Sequence, residues 1–87
     1  MPAYDPEYSD EALAAFLNLP KRTALKVHAI CAKLAADPLA RSEPCGLDHT
    51  GRPVLHALID GVGIRFWIDD AVRRIAIIKI VVPRPRR

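Results

Sequence analysis

The chain places an arginine inside an apolar strand pattern, Gly63-Ile64-Arg65-Phe66-Trp67-Ile68-Asp69. Burying an unpaired charge in a sheet costs several kcal/mol, so Arg65 must look onto solvent, a partner or a ligand. The competing reading pairs it with Asp60 or Asp69, but an exposed ion pair of that kind adds little stability. His56 is the one group titrating near neutral pH that alternation assigns to the same face. Trp67 follows two residues after Arg65 and shares that face as well. Beyond Asp70 every charged residue is basic: Arg73, Arg74, Lys79, Arg84, Arg86 and Arg87. Such an end attracts polyanions or an acidic protein segment over about 8 to 10 Å, although a solubilising tail has the same composition. His49 in a connecting loop and His28 on a helix are weaker candidates.

Composition bounds what these residues can belong to. Eighty-seven residues with a net charge of +3 and 51% apolar content suit one globular domain over residues 1–87, with 82–87 as a basic tail. No apolar run is long enough to span a bilayer. The Met1-Pro2-Ala3-Tyr4-Asp5 start lacks a secretory pattern, so a cytoplasmic protein without membrane contact is expected. Cys31 and Cys45 are read as free thiols, as reducing compartments keep them. No short-spaced metal-ligand set is present, and neither metal nor cofactor is expected.

The elements that must position these residues follow from periodicity. Ala3 to Tyr8 reads as a strand with Tyr4, Pro6 and Tyr8 on one face, confined to an edge because Pro6 lacks an N–H. Ser9 caps a short helix whose Ala12, Leu13, Phe16 and Leu17 repeat at helical spacing. Pro20 breaks that run. A second helix spans about Lys21 to Ala36, with Ala24, Val27, Ile30, Cys31 and Leu34 inward, and stops at Asp37-Pro38. A loop of two or three residues makes the two helices antiparallel. Leu39 to Gly51 is rich in Pro, Gly, Ser and charge and reads as a long connection. Strands follow at Arg52–Asp60, Ile64–Asp69 and Arg74–Val82. The last is apolar on both faces apart from Lys79 and so is expected to be central. The three form an antiparallel meander with a hairpin-like connection at Asp60-Gly61-Val62-Gly63. The fold class is therefore α+β: an N-terminal strand, a helical hairpin and a meander completing a four-stranded sheet. One face covers the helices, and the other shows His56, Arg65 and Trp67.

This layout resembles the RelE/ParE superfamily of toxins from type II toxin-antitoxin pairs. The resemblance rests on Tyr8-Ser9-Asp10-Glu11-Ala12, the Leu19-Pro20 break, Leu34-Ala35-Ala36-Asp37-Pro38, the Gly63-Ile64-Arg65-Phe66 strand and a last strand leading to Arg84. It implies a microbial ribonuclease type of fold whose concave sheet face binds the target. RelE-like members cleave messenger RNA in the ribosome and inhibit translation, ParE-like members inhibit DNA gyrase, and both are silenced by a cognate antitoxin. RNA cleavage needs the ribose 2′-OH deprotonated, the phosphate charge stabilised and the leaving oxygen protonated. The resemblance makes Arg65, His56 and Arg84 the catalytic candidates, with Arg65 holding phosphate through its planar fork. Arg52, Trp67, Lys79, Arg84 and Arg86 become nucleic-acid contacts. Trp67 would stack on a base or anchor the antitoxin. The family's usual tyrosine or histidine near the C-terminus is missing from Val82-Pro83-Arg84-Pro85-Arg86-Arg87. The expected function is thus a ribosome-dependent mRNA endonuclease toxin. The alternatives are a gyrase inhibitor and a non-toxic relative that binds nucleic acid or protein, and homodimerisation stays open.

Overall fold

A computed structural model describes residues 4–83. The elements run β1 (Asp5–Tyr8), α1 (Asp10–Leu17), α2 (Lys21–Ala36), β2 (Ser42–Leu47), β3 (Pro53–Ile59), β4 (Val62–Asp69) and β5 (Arg74–Val81). They form an α+β fold in which a mixed sheet, ordered β1-β5-β4-β3-β2, carries both helices. β1 pairs parallel with β5 at the edge, as Pro6 requires, and β2 to β5 are antiparallel neighbours.

The sheet has five strands rather than four, because the segment read as a connection contains β2. Ser42–Leu47 is exposed along nearly its whole length and contains Pro44 and Gly46. Its side chains carry no burial pattern, and it is held by backbone pairing to β3, with a bulge between Pro44 and Gly46.

Ser9 starts α1 as its type predicts. Its hydroxyl accepts from the Ala12 N–H at 3.1 Å and donates to the Ile78 carbonyl at 3.2 Å, so one side chain caps the helix and ties it to β5. Of the four apolar residues at helical spacing, Ala12 enters the core and Phe16 packs against it, while Leu13 and Leu17 are exposed, Leu17 by 71%. On α2, Val27, Ile30, Cys31, Leu34 and Ala35 are buried. They meet Ala57, Ile59, Val62, Ile64, Phe66, Ile75, Ile77 and Ile80 from the sheet in one cluster. Burial pushes the Cys31 thiol up. The adjacent Tyr8 hydroxyl makes no well-formed hydrogen bond and is raised too, by burial first.

Two local features aim the strands. Asp60 and Gly61 both have positive φ, 52° and 83°, the conformation of a two-residue type I′ hairpin turn between β3 and β4. In β5 the register shifts, so that Phe66 pairs with Ile77 while Arg65 pairs with Lys79. Ile78 is the extra residue of a β-bulge. The bulge explains why β5 looks apolar on both faces: Ile75 and Ile77 enter the core before it, Ile80 after it, and Ile78 and Lys79 share the other side.

Candidate functional site

The face away from the helices is built by alternation along β3, β4 and β5. Arg65 lies on it and is exposed. Strand register sets a row across four strands: Glu43 opposite His56, His56 opposite Arg65, and Arg65 opposite Lys79. Directly paired residues have Cβ atoms about 5 Å apart, so an acidic, an imidazole, a guanidinium and an ammonium side chain start from neighbouring positions on successive strands. Among the described residues Arg65 forms no ion pair with Asp60 or Asp69; the salt bridge present joins Arg74 to Glu7 at 3.6 Å.

The face is concave. A hollow of about 320 Å³ is lined by Glu11, Cys45, Leu47, Asp48, Val54, Arg65, Ile78 and Lys79. It reaches from the start of α1 to β2, and the two cations rise from strands between two carboxylate rims. The bulge at Ile78 brings Lys79 into line with Arg65, and Ser9 holds the bulge to the helix that carries Glu11.

His56 is half-buried. A side-chain carbon at position 63 would lie 3.2 Å from its Nε2 and 3.7 Å from the Val81 Cβ. The imidazole therefore leans across Gly63 toward β5, over ground that only a glycine leaves free. Gly63 is buried without positive φ, so steric room rather than backbone freedom is what it supplies.

Arg52 and Trp67 form a second feature of the same face. The Arg52 guanidinium carbon sits 4.0 Å from the Trp67 ring centroid, a cation–π stack. Trp67 is half-buried, so the expected bare stacking platform is instead roofed by an arginine. The backbone of Arg52 is pinned by Asp48. The Asp48 carboxylate accepts from the Thr50 hydroxyl at 2.7 Å, the Thr50 N–H at 2.8 Å and the Arg52 N–H at 2.9 Å. These bonds, that of the Thr50 hydroxyl foremost, hold the Asp48 carboxyl down at about 2.

The structure thus brings Arg65, His56 and Lys79 together and sets Arg52 with Trp67 beside them. Arg84 and Arg86 fall outside the described residues. Glu43, Glu11 and Asp48 are site neighbours that sequence reasoning missed. Asp48-His49-Thr50-Gly51 carried a legible turn signal, an Asx-type acceptor before Gly, whereas Glu43 could not be placed without β2. Among the described residues, no group of three or more His, Cys, Asp or Glu is placed to hold a metal ion. No helix among them is long and apolar enough to cross a membrane.

No protein-family model and no curated protein matches the chain. Solved structures do. A chain of the toxin-antitoxin complex RelBE2 from Mycobacterium tuberculosis is 18% identical with a TM-score of 0.80, covering 94% of this chain and all (100%) of that one. A chain of the archaeal RelE-RelB complex from Pyrococcus horikoshii is 20% identical with a TM-score of 0.68, over 99% of this chain and 100% of that one. A chain of the intact Escherichia coli RelBE toxin-antitoxin complex is 12% identical with a TM-score of 0.54, over 95% and 100%. The fold is RelE-like.

Proposed function

We propose that the chain is a RelE-like toxin that cleaves messenger RNA on the ribosome, using the concave sheet face as its active site. The observation that carries this reading is the row of His56, Arg65 and Lys79 across three strands of a sheet backed by the helices, with Arg65 and Lys79 exposed in a hollow and His56 half-buried next to Arg65 in the row. Its type of fold, shared with chains of toxin-antitoxin complexes, supports the same conclusion.

In this reading Arg65 grips a phosphate through two parallel N–H donors. The His56 imidazole takes the proton of the adjoining ribose 2′-OH, and the O2′ attacks phosphorus. Arg65 and Lys79 stabilise the added negative charge of the five-coordinate phosphate. The O5′ bond breaks, and the departing oxygen takes a proton from the Lys79 ammonium. Products are a 2′,3′-cyclic phosphate and a 5′-hydroxyl. Glu43, opposite His56, stabilises the imidazolium formed when the base is protonated. Such a toxin requires a cognate antitoxin, and the exposed Leu13 and Leu17 on α1 and Leu25 on α2 give that partner apolar anchors.

The test is a reconstituted translation reaction with one defined message. Wild-type protein cuts the message only when it is loaded on ribosomes, and Arg65→Ala lowers the rate at least a hundredfold. Intact message together with blocked supercoiling by DNA gyrase would replace this reading with the gyrase-directed one. Intact message with normal supercoiling would leave a non-toxic binding relative.

A further inference from the structure

The Arg52–Trp67 stack is more than a packing detail, because it makes a flat, charged surface beside the cationic row. Trp67 stands two residues from Arg65 on β4 and on the same face, about 7 Å along the strand. Arg52 is exposed and its guanidinium carbon lies over the indole, so Trp67 covers the cation from one side only. The stack lines a hollow of about 250 Å³ with Pro53, Ile68, Asp69 and Asp70. Arg52 is poised rather than consumed: among the described residues it forms no salt bridge to either carboxylate. Asp48 fixes its backbone through hydrogen bonds to both its N–H and, from the Asp48 N–H, its carbonyl at 2.9 Å.

The charges of this hollow select what can enter. Asp69 and Asp70 repel a phosphate; the Ala71 N–H already donates to one oxygen of Asp69 and the Tyr4 hydroxyl to one of Asp70, and the second oxygen of each is the acceptor turned to a ligand. A nucleobase meets both conditions, since its edge carries N–H donors and its ring stacks on guanidinium planes. We propose that this hollow seats one unpaired base of a single-stranded RNA, stacked on Arg52 over Trp67, while the adjoining phosphate lies at Arg65 and Lys79. The inference rests on the reading of the concave face as an RNA site and adds the seat for the neighbouring nucleotide. The separation of the two rows along β4 suits the step from a backbone phosphate to the base next to it. Planarity, not charge alone, is what Arg52 contributes.

The chain holds one tryptophan, so its fluorescence reports this seat directly. The probes are a non-cleavable all-deoxy trinucleotide and its abasic counterpart, titrated into the full chain and followed by Trp67 fluorescence and by direct binding. Wild type should bind the base-bearing strand roughly tenfold more tightly than the abasic one, with a fluorescence change only for the former. Arg52→Lys keeps the charge at an exposed position and should erase that difference, bringing the base-bearing strand down to the abasic affinity. Arg65→Ala should weaken both strands alike. If Arg52→Lys retains the preference, or Trp67 fluorescence ignores the base-bearing strand while it binds, the base seat is wrong and the phosphate site stands. If neither strand binds wild-type protein, the RNA reading of the face falls and this inference with it.

Discussion

Gly63→Ala separates the position of His56 from the stability of the fold. Residue 63 does not have positive φ, so alanine is conformationally allowed there and removes freedom from the unfolded chain, a gain of about 0.4–1 kcal/mol. Against this, the new methyl would meet His56 Nε2 at 3.2 Å. The half-buried imidazole yields by rotating, and a side chain pushed about 30° from its rotamer costs about 0.5–1.5 kcal/mol. The two effects nearly cancel, so unfolding free energy should stay within about 1 kcal/mol of wild type. For a domain of this size that is a shift in Tm of at most roughly 8 °C. Activity should respond quite differently. A catalytic group displaced by about 1 Å costs on the order of a hundredfold. Urea unfolding and ribosome-dependent message cleavage, run on the same preparation, read the two quantities. Cleavage within twofold of wild type would refute the claim that the imidazole over Gly63 acts in the reaction. A fall in stability beyond about 3 kcal/mol would refute the claim that this face can yield.

Ser9→Ala removes a helix cap and the tie to the bulge at once, so it should cost about 1–2 kcal/mol, visible as a lower Tm in thermal unfolding. Asp48 tests the turn that fixes Arg52. Its carboxyl sits at about 2 in the folded chain against an ordinary 3.8. The stabilisation is therefore present above pH 3.8 and lost as pH falls through about 2. Asp48→Asn keeps the accepting oxygen without the titration, so the loss of stability between pH 5 and pH 2 in urea unfolding should be smaller than in wild type. An equal loss in both proteins would show that this carboxylate does not hold the turn.

What the sequence disclosed and what it hid have the same physical origin, burial. Arg65 could be assigned to the open face because Ile64, Phe66 and Ile68 alternate around it, and the sheet places it there. The second helix was legible over its whole length because Val27, Ile30, Cys31 and Leu34 form a buried stripe. β2 was not, since its outward side chains contribute little and its ladder to β3 is made by backbone groups common to every residue type. On α1 helical spacing admitted two faces, Ala12 with Phe16 or Leu13 with Leu17. The choice was made by the Ser9 bond to Ile78, a long-range contact no local pattern carries. The bulge that aligns Lys79 with Arg65 was hidden in the apolar run Ile75 to Val82. Arg52 over Trp67 joins residues 15 apart in sequence, and only the pairing of β3 with β4 brings them together.

The account stands on Arg65 being a phosphate ligand on an open face rather than part of the packing. The direct measurement is the salt dependence of single-stranded RNA binding by wild type and Arg65→Ala, with unfolding free energy measured alongside. Loss of one phosphate contact should lower the slope of log K against log salt by about 0.7, while stability stays within about 0.5 kcal/mol. An unchanged slope, or a variant destabilised by several kcal/mol, would contradict it.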